Sequence, residues 1–155
     1  MAEQTTETIA ENLWWVISGK LAGVRKPMAA ELPELQKLGI GGIVSVMDDP
    51  SNLELYQKAN LPHLWLPVEG GTSPNQEQIH QLQDFINTQN SEGKAVAIHC
   101  TSGRRRTGTA IAAYLISSGL SYDNAMEQIL TANSEVELRE AQSTFLQDLA
   151  KQSVV

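Results

Sequence analysis

A chain of 155 residues, 41% of them hydrophobic, is long enough for one domain with a real core. Its formal charge of -7 argues against nucleic acid or an anionic membrane as partner, since both need a broad basic face. One cysteine cannot close an internal disulfide, and no apolar run approaches the ~20 residues of a membrane span. The polar start "MAEQTTETIAEN" lacks a signal-peptide pattern, so a soluble, monomeric, cytoplasmic protein is expected.

Residues 1–10 read as a frayed or disordered start, followed by one domain over residues 11–150. "LWWVISGKLAG" is apolar, with Gly19 and Gly23 as turn points, and predicts a strand pair. In "MAAELPELQKLG" the threefold spacing of Leu32, Leu35 and Leu38 predicts a short helix stopped by Gly39. A strand "GIVSVM", a loop "DDPSN", a helix "NLELYQKA" and a strand "HLWLPV" follow. In "GGTSPNQEQIHQLQDFI", Ser73 is the predicted cap, Pro74 the first helical residue and Gln76 the partner in a capping box. Ile79, Leu82, Phe85 and Ile86 mark that helix's apolar face. "AVAIH", apolar throughout, predicts a central strand, and "TGTAIAAYLISSG" a buried helix. "SYDNAMEQIL" and "SEVELREAQSTFLQDLA" predict two more helices, the second opened by a Ser134–Glu137 capping box. Strands alternating with helices indicate an α/β fold with a largely parallel sheet.

The chemistry concentrates in residues 97–115, "AIHCTSGRRRTGTAIAAYL", where the one cysteine stands before three arginines. Strand, turn and helix together present a nest of N–H groups that binds a phosphate or sulfate dianion. Cys100 would lie beneath that anion, in a field that lowers a cysteine pKa from about 8.5 to roughly 3.5–7.5. His99 is placed to orient the loop and support the thiolate through hydrogen bonds. Arg106, six residues on, can fork onto two phosphate oxygens, and Thr107 can donate to the sulfur and ease its departure. Gly103 and Gly108 relieve the turns. A buried inert thiol beside solvated arginines is the plainer alternative. The spacing, the flanking His and Thr, and the strand–helix frame together outweigh it. No Gly-Lys-Ser/Thr follows, so this is not a nucleotide loop. His63 and His80 lack partners at ligand spacing, and no metal or other cofactor is expected.

"HCTSGRRRTGT" resembles the His-Cys-x5-Arg-Ser/Thr signature of cysteine-based protein tyrosine phosphatases, in their small atypical dual-specificity branch. "NLWWVISGKLAG", "LGIGGIVSVMDD", "HLWLPVEGGTSPNQEQI" and "GKAVAIHC" follow in the family's order, so the resemblance runs from residue 12 to 147. It implies a four- to five-stranded sheet flanked by helices, with loop 100–106 at the floor of the site. It further implies that Thr101, Ser102, Gly103, Arg104, Arg105 and Arg106 hold the phosphate while Cys100 forms a phosphocysteine that water hydrolyses. The implied substrate is a protein or peptide bearing phosphotyrosine, with phosphoserine and phosphothreonine as further candidates.

Two departures from the family pattern stand out. An Asp, the general acid, commonly stands four residues before the proline at position 74, where this chain has Gly70. The adjacent Glu69, on a two-glycine hinge, is the first candidate, followed by Asp48 or Asp49 and then Glu135 or Glu137. Arg104 and Arg105 also stand where the family often has a small residue, which points either to plain solvated charge or to a rim for extra-anionic substrates. The rival readings are a phosphate-recognising pseudophosphatase that only binds, and a phosphoinositide phosphatase.

Overall fold

A computed structural model describes residues 8–152. Its elements run α1 (Ile9–Asn12), β1 (Trp14–Ile17), β2 (Leu21–Val24), a 3-10 turn (Ala29–Glu31), α2 (Leu32–Lys37), β3 (Ile40–Ser45), α3 (Leu53–Lys58) and β4 (His63–Trp65). They continue with α4 (Gln76–Ser91), β5 (Ala95–His99), α5 (Arg105–Ser117), α6 (Tyr122–Ala132) and α7 (Glu140–Gln152). The strands form one five-stranded sheet in the order β1-β2-β5-β3-β4. β1 and β2 pair antiparallel, as the hairpin signal predicts, and every other pairing is parallel. Parallel neighbours need crossovers, which α2, α3 and α4 supply.

β5 lies in the middle because both its faces are apolar, and all five of its residues are buried. Val96 and Ile98 pack with α4, α5, α6 and α7, while Ala95 and Ala97 pack under α1, α2 and α3 on the other face. α5 is buried from Thr107 to Ile116, a small-residue helix closed in on all sides. Among the described residues no helix is long and apolar enough to cross a membrane.

Several boundaries differ from the sequence reading. Residues 1–7 lie outside the described residues, but 8–10 are not frayed: Thr8 caps α1 and Ile9 is fully buried. Gly23 lies inside β2 rather than at a turn, because the ring of Trp14 packs on it and leaves no room for a Cβ. Leu38 falls beyond α2 and is exposed. α4 starts two residues later than Ser73–Gln76 predicts. Asn75, in extended conformation, accepts from Gln78 N, and Gln78 Oε1 accepts from Asn75 N, so this pair forms the box. The Ser134–Glu137 box does not form either. Asn133 Oδ1 accepts from Glu135 N and Val136 is buried, which holds 134–139 out of the helix until Glu140.

Candidate active site

Val24, Ser45, His99 and Trp65 lie level in the sheet registers, near the C-terminal ends of the parallel strands. The segments leaving those ends carry Lys26, Asp48, Glu69 and the 100–106 loop, so residues scattered through the sequence converge at one edge. Lys26 N donates to Thr101 O at 3.2 Å and ties the first of these segments to the loop.

The loop itself is fixed by a glycine. Gly103 has φ +79°, and a Cβ there would stand 2.5 Å from Val24 O, so both conformation and space demand glycine. The turn directs Gly103 N at Cys100 Sγ, 3.3 Å away, while Thr107 Oγ1 donates to the same sulfur at 3.2 Å. Cys100 is buried. Burial pushes its thiol pKa up, but the Thr107 hydroxyl and the N–H groups of Thr107, Gly103 and Arg104 outweigh it and hold the pKa below the ordinary thiol value. No side chain caps the N-terminus of α5, so its first N–H groups remain available to an anion above the sulfur.

His99 acts on the backbone rather than on the sulfur. Its Nδ1 lies 3.2 Å from Cys100 O, and a carbonyl only accepts, so Nδ1 carries the proton. Nε2 then accepts from Tyr56 Oη at 2.7 Å, and Tyr56 in turn accepts from Asn52 Nδ2 at 2.8 Å. Asn52 Nδ2 also donates to Pro27 O. Burial lowers the His99 pKa to about 4, more than the Cys100 carbonyl restores, so the imidazole is neutral at physiological pH. A donor chain thus runs from α3 to the carbonyl of the thiol residue.

Arg106, in the first turn of α5, is mostly covered; its Nη1 donates to Val68 O at 3.1 Å and lies 3.5 Å from Asp48 Oδ1. Above the loop opens a cavity of about 400 Å³, lined by Gly70, Gly71, residues Cys100 to Ser102, Arg104 to Arg106, Glu135, Glu137 and Arg139. Arg104 pairs with Glu135 at 2.7 Å, and Arg105 Nε donates to Glu137 O at 3.2 Å. The other carboxylates separate by environment. Hydrogen bonds from Ser51 hold Asp49 below its usual range. Glu69 is exposed on a turn whose carbonyl accepts from Thr72 N and Oγ1, and its carboxylate has no hydrogen bond among the described residues. Gly70 and Gly71, rather than Glu69 itself, form the cavity wall at this turn.

A family model described as the DSP-PTPase phosphatase domain of Swiss Army Knife proteins matches residues 10–155. The chain belongs to this family. It is 26% identical over 144 residues to a phosphatidylglycerophosphate phosphatase of Arabidopsis thaliana, covering 89% of this chain and 63% of that one. It is 29% identical over 98 residues to protein tyrosine phosphatase type IVA 2 of Mus musculus, covering 62% of this chain and 59% of the relative. The chain therefore matches only part of either relative's length. The solved structure of Tk-PTP in its active form resembles it with a TM-score of 0.81 at 28% identity, over 91% of this chain and 97% of that one.

Within this phosphatase-domain family member, the structure brings the Thr107 hydroxyl to the Cys100 sulfur and Arg106 to the same cavity as Cys100, and places Glu135 and Glu137 on the cavity wall. It sets His99 on the Cys100 carbonyl instead of on the sulfur, so that of its two expected roles only orienting the loop has a hydrogen bond behind it. Sequence reasoning missed Asn52, Tyr56, Gln142 and Arg139. Gln142, buried in α7, accepts from Arg139 N and donates to Thr72 O, each at 2.9 Å, and so clamps α7 to the Gly70–Gly71 loop. A Tyr in a short amphipathic helix carries no signal that distinguishes it from core; only the fold brings it to His99.

Proposed function

We propose that the chain hydrolyses phosphotyrosine, and with it phosphoserine and phosphothreonine, in phosphorylated proteins. The observation that carries this reading is the buried Cys100 sulfur, held below the ordinary thiol pKa by Thr107 and loop N–H groups at the uncapped start of α5. The thiolate attacks phosphorus, an S–P bond forms, and the ester P–O bond breaks. Glu69 donates a proton to the departing oxygen; it adjoins the Gly70–Gly71 wall of the cavity, and its carboxylate carries no hydrogen bond or ion pair among the described residues. Arg106, braced through Nη1 on Val68 O, offers its remaining N–H groups to the equatorial oxygens alongside the amides of residues 101–106. Water then attacks phosphorus and gives its proton to Glu69, and the sulfur leaves toward the Thr107 hydroxyl. The single thiol suits a reducing compartment, and the cytoplasm is the proposed location.

The plant relative's name favours a second reading, a lipid phosphate monoester. The exposed large hydrophobics Met28, Leu38 and Leu130 line no part of the cavity, which leaves an acyl chain without a seat there. The deciding experiment is the pH profile of kcat on para-nitrophenyl phosphate and on a phosphotyrosine peptide. Cys100→Ser abolishes turnover. Wild type loses rate at high pH as the acid deprotonates; Glu69→Gln is slower by about 100-fold or more and lacks that limb. A Glu69→Gln profile identical to wild type moves the role to Asp48 or Glu137. Binding of phosphopeptide without turnover by wild type leaves a binding module.

A further inference from the structure

The loop that carries Glu69 is exposed, yet side chains hold its backbone at several points. One side chain joins its two ends. Gln78, in the first turn of α4, donates from Nε2 to Pro67 O at 2.9 Å and accepts through Oε1 from Asn75 N at 3.0 Å. Inside the loop, residues 69–72 form a β-turn. Thr72 N donates to Glu69 O at 3.1 Å, and Gly71 takes the third position at φ +83°. Thr72 Oγ1 donates to the same carbonyl at 2.8 Å. Thr72 O in turn accepts from Gln142 Nε2 at 2.9 Å, and Gln142 is fully buried in α7.

Two of these bonds exceed what the local structure needs. The start of α4 is capped by Asn75 Oδ1 and Gln78 Oε1, and a glutamate at position 78 would close the same box. The bond from Gln78 Nε2 to Pro67 O is an addition that only an amide donor makes. Likewise Thr72 N alone closes the turn, and the Thr72 hydroxyl brings a second donor to the same oxygen. Both additions act on the backbone at or just before Glu69. A general acid must lie within hydrogen-bond reach of the departing oxygen, and a misplacement of about 1 Å costs about 100-fold in rate. The Glu69 carboxylate has no hydrogen bond of its own among the described residues, so the backbone it springs from is the part the fold can fix.

We infer that Thr72 and Gln78 are positioning residues for proton delivery: they fix the backbone from which Glu69 reaches the departing oxygen, and the buried Gln142 anchors Thr72. This rests on the reading above of Glu69 as the acid. Thr72 and Gln78 line no part of the phosphate cavity, so they act through Glu69 and not on the substrate.

The test is the dependence of kcat/KM on the leaving group, which reports cleavage of the ester and not the later hydrolysis of phosphocysteine. Phenyl phosphate releases a phenol as weakly acidic as tyrosine, with a pKa of about 10, and needs a proton; 2,4-dinitrophenyl phosphate releases a stable anion and needs none. Glu69→Gln loses about 100-fold on phenyl phosphate and less than about threefold on the dinitrophenyl ester. Thr72→Val keeps the turn N–H and Gln78→Glu keeps the capping box, and each shows the same selective loss at about tenfold. Thr72→Ser keeps the hydroxyl and stays within about twofold of wild type on both esters. A variant of Thr72 or Gln78 that slows both esters equally, or neither, overturns the role of the residue it replaces. A loss in Thr72→Ser equal to that in Thr72→Val overturns the role of the hydroxyl. A selective loss in Glu69→Gln beside unselective Thr72→Val and Gln78→Glu overturns the inference alone. Glu69→Gln slowing both esters equally, or wild type cleaving neither, overturns the acid reading and the inference together.

Discussion

Tyr56 Oη and His99 Nε2, 43 residues apart in sequence, lie 2.7 Å apart beneath the sheet edge that carries the thiol. Because Nδ1 of the same ring serves the Cys100 carbonyl, the tyrosine sets the tautomer and, through it, the backbone at the reactive residue. The nucleophile's geometry therefore depends on a helix, α3, that contributes nothing to the cavity lining.

Replacing Tyr56 with Phe leaves His99 Nε2 without its donor in a buried site. The expected cost is about 1–3 kcal/mol of folding stability, read by urea denaturation. The pH midpoint for alkylation of Cys100 also moves, because the Nδ1 proton is no longer fixed on the carbonyl side. A variant with wild-type stability and wild-type alkylation would remove Tyr56 from any positioning role.

His99 makes stability fall on acidification. Its folded pKa is about 4 against an ordinary 6.5, because burial favours the neutral ring. The unfolded chain takes up a proton first as pH drops. The contribution is therefore fully present above about pH 6.5 and is lost as pH falls toward about 4, a total on the order of 3 kcal/mol. Denaturation of wild type and His99→Asn at pH 7.5 and pH 5 checks this: the variant shows the smaller loss, and equal losses would refute it.

Thr107 governs both the formation and the release of the thiolate. Removing its hydroxyl in Thr107→Val takes away a 3.2 Å donor to Sγ and raises the thiol pKa. The acid limb of kcat/KM therefore moves to higher pH, because the thiolate loses a hydrogen bond that favours its charged form. Phosphocysteine breakdown also slows, so rapid mixing shows a burst of para-nitrophenol followed by slow turnover. Thr107→Ser keeps the donor and stays close to wild type. A Thr107→Val profile that coincides with wild type would show the bond to be incidental.

What could be read directly from the chain was local. The phosphate loop is a contiguous strand, turn and helix, and each requirement is a residue type at short range: the apolar run before Cys100, Gly103 at a positive φ, small residues in α5. The cap of α4 was legible only to within two residues, because Ser73, Asn75, Gln76 and Gln78 all have capping side chains. Local chemistry does not rank them; the hydrogen bond that Gln78 Nε2 donates to Pro67 O adds a tertiary vote for the later start. The Ser134–Glu137 pattern failed for a related reason, since burying Val136 against Gly108 holds that segment out of the helix.

By itself, then, the sequence determined the α/β class, the central strand and the thiol with its six-residue arginine spacing, because neighbouring residues impose those through periodicity and turn chemistry. Only the tertiary structure decided which distant groups serve them. Strand order β1-β2-β5-β3-β4 brings the ends of β2, β3 and β4 alongside Cys100, and the packing of α7 sets Arg139 over Gly71 across 70 residues from Gln142 to Thr72. Those meetings depend on which strand lies beside which and on how helices cover the sheet, and no short-range pattern in the chain encodes either.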